Sequence, residues 1–382
     1  MSVKKKTKTT KAKGKTVKKK IKAKVKSKSK AKQKTTKLKQ VEKKITKAKI
    51  KNKVKVKVKT KSKTKILTKK APKKIVKKTS KKSILKKDEA IEIYRKVKLA
   101  RLIDEKIIVL YKQNKCHFQI GCAGHELPGV IAGKVFKASK DWFYPYYRDL
   151  ALCLTLGMTP LELFLNALNK EGDPNSHGRQ MPAHFGHKDL NIVSQSSPTG
   201  SQFLQAVGVA LAIKKLGKKE VVYVSAGEGT CAQGDFHEAL NWATRDKLPI
   251  VFLIQNNGFA ISVPVSEQLA GASVYKLVQG YDGLKTYEVD GNNISDCKNI
   301  ITEAYNHAIN QKGAVLIEAS VPRLQSHSIS DNHKKYRTEE DITSDAKRCP
   351  LLTLEAKLLK EKILPQVTLK KFILNLKKLV DL

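Results

Sequence analysis

The sequence predicts an α/β protein in which a parallel sheet carries helices on both faces, preceded by a disordered basic tail. Three observations lead there. The apolar runs VVYVSA (221–226), IVFLI (250–254) and AVLIEAS (314–320) are short, continuous and rich in β-branched residues, as strands buried on both faces must be. Segments with helical spacing separate them, and strands alternating with helices pack as a covered parallel sheet. Finally, the net charge of +45 is concentrated: residues 1–87 hold 41 Lys, no Arg and one acid, Glu42, giving +40 and leaving +5 for residues 88–382.

Residues 1–87 alternate Lys with Thr, Ala, Val and Ser, as in KVKVKVKTKSKTK (53–65), and contain no aromatic residue. Self-repulsion and the lack of anything to bury predict disorder. Lysine at every other position cannot pair into a sheet unless a polyanion neutralises it. The composition resembles the tails of histone-like proteins, so nonspecific binding to nucleic acid is one expectation for the tail. Mixed charge returns at Asp88, Glu89 and Glu92, which sets the boundary near Lys87 and one folded domain over 88–382.

From Asp88 to about Asn114, Ile91, Tyr94, Val97, Ile103, Ile107 and Leu110 recur at helical spacing and predict a long amphipathic helix. Gly121, Gly124 and Pro128 then punctuate shorter elements. A helix is expected from about Pro160 to Asn169, followed by a loop over 171–190 dense in Gly, His and Pro, too long to be mere connection. Further helices are expected over 203–216, 234–245 and 295–310, with the strands between and after them.

Six cysteines without a CxxC pair predict neither a zinc site nor a disulfide framework, and fit a reducing compartment. No apolar run reaches the roughly 18 residues that span a bilayer, and the start MSVKKK lacks the apolar stretch of a secretory signal. The first arginine is Arg95, unlike an arginine-rich transit peptide. A cytoplasmic protein with no membrane partner is expected.

Chemistry is written at two strand ends. The first strand runs into Gly227-Glu228-Gly229-Thr230 and the second into Asn256-Asn257-Gly258. In open parallel sheets ligands bind beyond the carboxyl ends of the strands. Glycines let the backbone approach a phosphate, and the next helix N-terminus offers unpaired N–H groups. A carboxylate and a carboxamide are hard oxygen donors suited to Mg²⁺, which keeps phosphate oxygens in its shell. Each motif alone is a common turn. Paired about thirty residues apart, in GEGTCAQGDFHEALNWATRDKLPIVFLIQNN, they resemble the thiamine diphosphate fingerprint, with Glu228 in place of the commoner aspartate.

Over residues 88–350 the chain resembles the alpha subunits of thiamine-diphosphate-dependent 2-oxo acid dehydrogenases, most closely the branched-chain type. The stretches that carry the likeness include YRDLAL, GRQMPAHFG, SSPTGSQFLQAVGVALA, NNGFAISVPVSEQ and SHSISDNHKKYRTEED. The resemblance implies the thiamine-diphosphate-binding fold, with Mg²⁺ held by Glu228, Asn257 and the backbone oxygen of Phe259. It implies that Tyr147 and Arg148 hold the diphosphate, that Gly227, Gly229 and Thr230 surround it, and that Ser197 and Thr199 neighbour the cofactor. Ser196, Pro198, Ser201 and Gln202 match a potassium site of the branched-chain type. His327 matches an active-site acid or hydrogen-bond donor, and Ser328 a position phosphorylated in animal members. His177, Arg179, His184 and His187 fall in a motif bordering the substrate channel and, lacking Cys or paired acids, do not read as zinc ligands.

Three positions depart from the pattern: Gln255 stands where relatives often carry an arginine directed at the diphosphate, Thr199 replaces a larger apolar residue, and Ser326 replaces the first of a His-His pair. They bear on substrate choice more than on cofactor binding. In the family the glutamate that activates the cofactor comes from a separate beta subunit. Only about fifty residues follow Asp331, so the resemblance implies half an active site in an alpha-2 beta-2 assembly that passes its acyl group to a lipoyl acyltransferase component. The expected activity is oxidative decarboxylation of a branched-chain 2-oxo acid. The alternatives are the same reaction on pyruvate or acetoin, and, from another class, a polyanion-binding protein working through its tail.

Overall fold

The computed structural model describes residues 86–380. The expected disorder of residues 1–87 thus falls almost wholly outside the described residues. Helix α1 (Lys87–Lys112) buries Tyr94, Val97, Ile103 and Ile107 as the spacing requires, with Ile91 and Leu110 half-buried at its margins. Asp88 and Glu89 lie in its first turn, where the helix dipole favours negative charge. After it come α2 (Glu126–Val135), strand β1 (Trp142–Tyr144), α3 (Leu150–Leu156) and α4 (Pro160–Ala167). Helix α4 starts where it does because Thr159 and Glu162 form a capping box ahead of Pro160.

The loop over 171–190 leads to α5 (Ser201–Lys215), and then strand β2 (Val222–Gly227), α6 (Gly234–Arg245) and β3 (Ile250–Asn256) follow in turn. A two-residue hairpin, β4 (Phe259–Ala260) and β5 (Val263–Pro264), precedes β6 (Lys285–Asp290), α7 (Ile294–Ile309) and β7 (Val315–Ser320). Three further helices close the chain: α8 (Glu339–Lys347), α9 (Pro350–Lys360) and α10 (Gln366–Lys378).

The main sheet has the order β1-β2-β3-β7-β6, and every neighbouring pair is parallel. Its central strands are buried on both sides. Tyr223, Val251, Leu253, Val315 and Ile317 join one apolar cluster with α1, α2, α3 and α7, while Val222, Val224, Ile250, Phe252 and Leu316 join another with α5 and α6. That alternation is why VVYVSA and IVFLI carry no polar face. Burying each such Val, Ile or Phe side chain contributes roughly 1.5–3 kcal/mol, so the strand ends stand on a rigid base. Helices α9 and α10 pack on α1, with the Tyr94 hydroxyl donating to Glu355 at 2.7 Å. Among the described residues, no helix is long and apolar enough to cross a membrane.

Candidate active site

The carboxyl ends of β2 and β3 lie side by side, with Gly227 in register with Gln255. Strand β2 passes at once into a 3-10 turn over Glu228–Ala232, and β3 into the Asn256–Gly258 turn. These ends, the Tyr146–Arg148 segment that follows β1, the 195–199 loop and the His327 loop enclose a cavity of about 520 Å³. Its lining includes Tyr147, Arg148, Ser197, Thr199, Gly227, Glu228, Gly229, Thr230, Asn257, Phe259 and His327. Eleven residues singled out in the sequence, drawn from five separate stretches, therefore meet in one place.

The two asparagines of the NN pair do different work. Asn256 donates to Glu318 at 2.7 Å, and Glu318 also accepts from Ser273 and from the backbone N–H groups of Val274 and Tyr275. That well-satisfied carboxylate at the end of β7 anchors the turn. Asn257 lines the cavity instead; its backbone N–H donates to Glu228 at 3.2 Å, and its side-chain oxygen accepts from the Phe259 N–H at 3.2 Å.

Glu228 is buried, and its second carboxylate oxygen, Oε1, has no hydrogen-bond partner. Burial pushes its carboxyl above the ordinary carboxylate value, with Arg148 and Arg323 pulling the other way. An unpartnered buried carboxylate oxygen is costly unless a cation or donor belongs there. Among the described residues no group of three or more His, Cys, Asp or Glu side chains clusters as a self-sufficient metal site. A Mg²⁺ at Glu228 would need oxygens from Asn257, a carbonyl and a ligand's phosphates, which is how this ion is commonly bound. The donor set present fits that requirement.

Arg148 is the complementary feature. It is 3% exposed, its nitrogens donate to the carbonyl oxygens of Gly121 and His327 and to the His327 ring, and it has no carboxylate partner among the described residues. Its guanidinium also lies 5.2 Å from the Tyr147 ring centroid. A buried cation paired only with dipoles at a cavity wall is an anion site in waiting. A guanidinium can only donate, so the 3.2 Å contact from Arg148 makes His327 Nδ1 the acceptor and leaves the ring proton on Nε2. Burial, then Arg148 and Arg323, lower the His327 pKa to about 4, so near neutral pH this imidazole is an uncharged donor.

Other expected residues sit elsewhere. Ser196, Pro198, Ser201 and Gln202 do not line the cavity. Ser201 Oγ bonds to Ser196 Oγ at 2.5 Å and donates to the Pro198 oxygen at 2.9 Å, while Gln202 accepts from Gly200 and donates to the Ser225 oxygen. The histidines of the long loop are not brought together: His177 bonds the Glu171 oxygen, His187 meets Glu162 at 3.4 Å, and only His184 reaches the cavity, where the Ser197 hydroxyl meets its Nε2 at 2.8 Å. Ser328 is buried beside Ser330 in a separate pocket that Ser326 also lines. Gln255 is fully buried and does not line the cavity. It turns inward to bridge His125 and Asp149, at 3.1 and 2.8 Å.

His125, Asp149, Tyr146 and Ser225 were missed by the sequence reading. They form a polar layer directly behind the cavity, and Tyr146 also lines it. Asp149 alone had a signal, as the acid next to the arginine of YYRD. Comparison with known proteins agrees with the geometry. Residues 94–381 match the family described as "Dehydrogenase E1 component". The alpha subunit of 2-oxoisovalerate dehydrogenase from Bacillus subtilis (strain 168) is 40% identical over 274 residues, covering 72% of this chain and 83% of that protein. The mitochondrial alpha subunits of mouse and human are 33% identical over 258 and 259 residues, in each case 68% of this chain, and the aligned part spans 58% and 57% of their own lengths. With family, relatives and cavity in agreement, the chain belongs to the dehydrogenase E1 component family, among the alpha subunits of thiamine-diphosphate-dependent 2-oxo acid dehydrogenases.

Proposed function

We propose that this chain holds the diphosphate and metal end of thiamine diphosphate and, with a beta subunit, decarboxylates a branched-chain 2-oxo acid before handing the acyl group to a lipoyl acyltransferase component. The observation that carries the reading is the pairing, across one cavity, of an unpartnered buried carboxylate oxygen on Glu228 with a buried Arg148 that has no carboxylate partner. A metal diphosphate satisfies both at once. The substrate class rests on the 2-oxoisovalerate dehydrogenase relatives.

In this reading Glu228, Asn257 and the Phe259 carbonyl oxygen hold Mg²⁺, while Tyr147, Arg148, Gly229 and Thr230 hold the diphosphate. Thiamine diphosphate supplies, when bound, the electron sink that makes loss of CO₂ from a 2-oxo acid feasible. Gly227, Ser197 and Thr199 line its side. His327, neutral with its proton on Nε2, donates a hydrogen bond to the substrate or to the charge that develops there. Phe118, Ile120, Met181 and Ile261 give the same cavity an apolar wall suited to an aliphatic side chain and to excluding water. Six unpaired cysteines are in keeping with a reducing, cytoplasmic setting. For potassium, the oxygens around Ser196, Pro198, Ser201 and Gln202 would have to exchange internal hydrogen bonds for ion contacts, and a rise in melting temperature with K⁺ over Na⁺ would support that site. Residues 1–87 form a second functional unit that binds polyanions through charge alone.

Glu228→Ala and Asn257→Ala should each abolish Mg²⁺-dependent binding of thiamine diphosphate, since each removes an oxygen that a methyl group cannot replace. Calorimetry reads this directly, and undiminished affinity in both variants would sink the assignment. Without its beta partner the chain should not turn over 3-methyl-2-oxobutanoate, and co-expression with that partner should restore activity. Turnover of pyruvate or acetoin in preference to the branched-chain acid would select the alternative substrate class.

A further inference from the structure

We propose that His125 and Gln255 are positioning residues that lock the side-chain amide of Asn257 with its oxygen directed away from them and available to the metal. The proposal rests on Asn257 as a metal ligand.

A chain of hydrogen bonds runs inward from the cavity. The Asn257 amide nitrogen lies 3.4 Å from His125 Nε2, His125 Nδ1 lies 3.1 Å from Gln255 Oε1, and Gln255 Nε2 donates to Asp149 Oδ1 at 2.8 Å. Asp149 is held in turn through its other oxygen by Ser225 and Tyr223. With Asp149 ionised, each link has one direction. Burial raises the Asp149 pKa to about 7, and in its ionised form Oδ1 only accepts, so Gln255 then presents its NH₂ to Asp149 and its oxygen to His125. Facing a carbonyl oxygen, His125 Nδ1 must carry the proton, shared with the Tyr146 hydroxyl at 3.1 Å. Nε2 is then a bare acceptor, and only the NH₂ of Asn257 can satisfy it. The opposite end gives the same answer independently, because the Phe259 N–H needs Asn257 Oδ1 as its acceptor.

The device is held rigidly. His125, Gln255 and Asp149 are each no more than 1% exposed. The loop that carries His125 is pinned by Glu126, which takes hydrogen bonds from Arg101 at 2.6 Å and from the Gly124 N–H at 2.8 Å. A Cβ on Gly124 would stand 1.9 Å from the Pro322 oxygen, so glycine is what lets that loop lie directly against the chain leaving β7. Apolar side chains of similar volume would fill this layer without the desolvation cost that a buried polar network carries. It reaches the cavity at Tyr146 and at Asn257, and of the two only Asn257 is placed to hold the metal. Partners of this kind behind a metal ligand orient it, and losing one typically costs ~10–100-fold in metal affinity.

The test titrates Mg²⁺ at saturating thiamine diphosphate into the full chain assembled with its beta subunit, with thermal melting in parallel. His125→Leu removes both donor and acceptor and should weaken Mg²⁺ binding ~10–100-fold. His125→Gln supplies one acceptor and one donor again and should return to within about threefold of the parent. A structural role alone would not separate the two at matched melting temperature. If His125→Leu does not fold, Gln255→Met carries the same test, since it removes the acceptor that fixes the imidazole proton while leaving the ring in place; its Mg²⁺ affinity should fall about tenfold. Mg²⁺ affinity in the folded Leu or Met variant within threefold of the parent, or equal weakening by Leu and Gln, overturns the proposal. A parent complex that binds no Mg²⁺ overturns the reading of Asn257 on which it rests, and is distinguished by failing before any substitution is made.

Discussion

His327 illustrates what a single side chain gains from its neighbours. An imidazole in water titrates near 6.5, whereas here burial and Arg148 bring it to about 4. The folded state therefore binds fewer protons than the unfolded chain between about pH 4 and 6.5, and this residue costs stability as pH falls through that window. Histidine NMR should find a midpoint near 4 with the proton on Nε2, and Arg148→Met should raise it. A midpoint near 6.5 in the parent protein would remove the neutral-donor role. His327→Ala should lower kcat by about 10²–10⁴, with cofactor affinity largely kept. The sequence alone marked His327, Arg148, Glu228 and Asn257, because each sits in a local motif. It did not mark His125 or the role of Gln255: they are 130 positions apart, and only the packing of the 121–125 loop against the end of β3 brings them together.

At the scale of elements, the site depends on how closely the β2 turn lies on the β4 hairpin. A Cβ at Gly229 would fall 2.5 Å from the Ala260 Cβ and 3.3 Å from its Cα, so even alanine must push the hairpin, and with it Phe259, out of place. At Gly227 the nearest atom is the Tyr146 Cε2 at 3.9 Å, and the backbone has an ordinary φ of −82°. Gly229→Ala should therefore weaken thiamine diphosphate binding at least about tenfold, a cost of ~1.4 kcal/mol. Gly227→Ala should be near neutral, and equal effects in a calorimetric comparison would refute this account of the turn. The elements read from their apolar pattern, α1, α4 to α7, β2, β3 and β7, agree with the structure to within two residues at their ends. Helices α8, α9 and α10 were not among the expected elements, although Leu351, Leu354 and Leu358 recur at helical spacing. The others missed have physical reasons: β1 is three residues long, and β6 is an edge strand whose only fully buried side chain is Val289. Helices α2 and α3 hide in glycine-rich or almost wholly apolar stretches where no polar face marks a period.

For the whole molecule, charge divides the chain where chemistry does. The residues that line the cavity run from Phe118 to His327, while +40 of the net charge lies in residues 1–87 and only +5 in the rest. That basic segment has no aromatic side chain to stack on a base and no arginine to fork onto guanine, so its contacts with nucleic acid should reach phosphates alone and ignore sequence. Neutralising six to ten phosphates releases their counterions and costs roughly 10³–10⁵ in affinity between 50 and 200 mM salt. Full-length protein should accordingly bind random duplex DNA and heparin at low salt and lose both as salt rises. Deleting residues 1–85 stops short of α1, which begins at Lys87 and buries its apolar face in the enzyme core. The shortened chain should keep its melting temperature, its Mg²⁺-dependent cofactor affinity and its activity with the beta subunit, while DNA retention disappears. Equal DNA retention after the deletion would move the binding surface into the folded domain. Loss of decarboxylation would show that the basic segment belongs to the catalytic assembly, as it would if it docked an acidic face of the acyltransferase component.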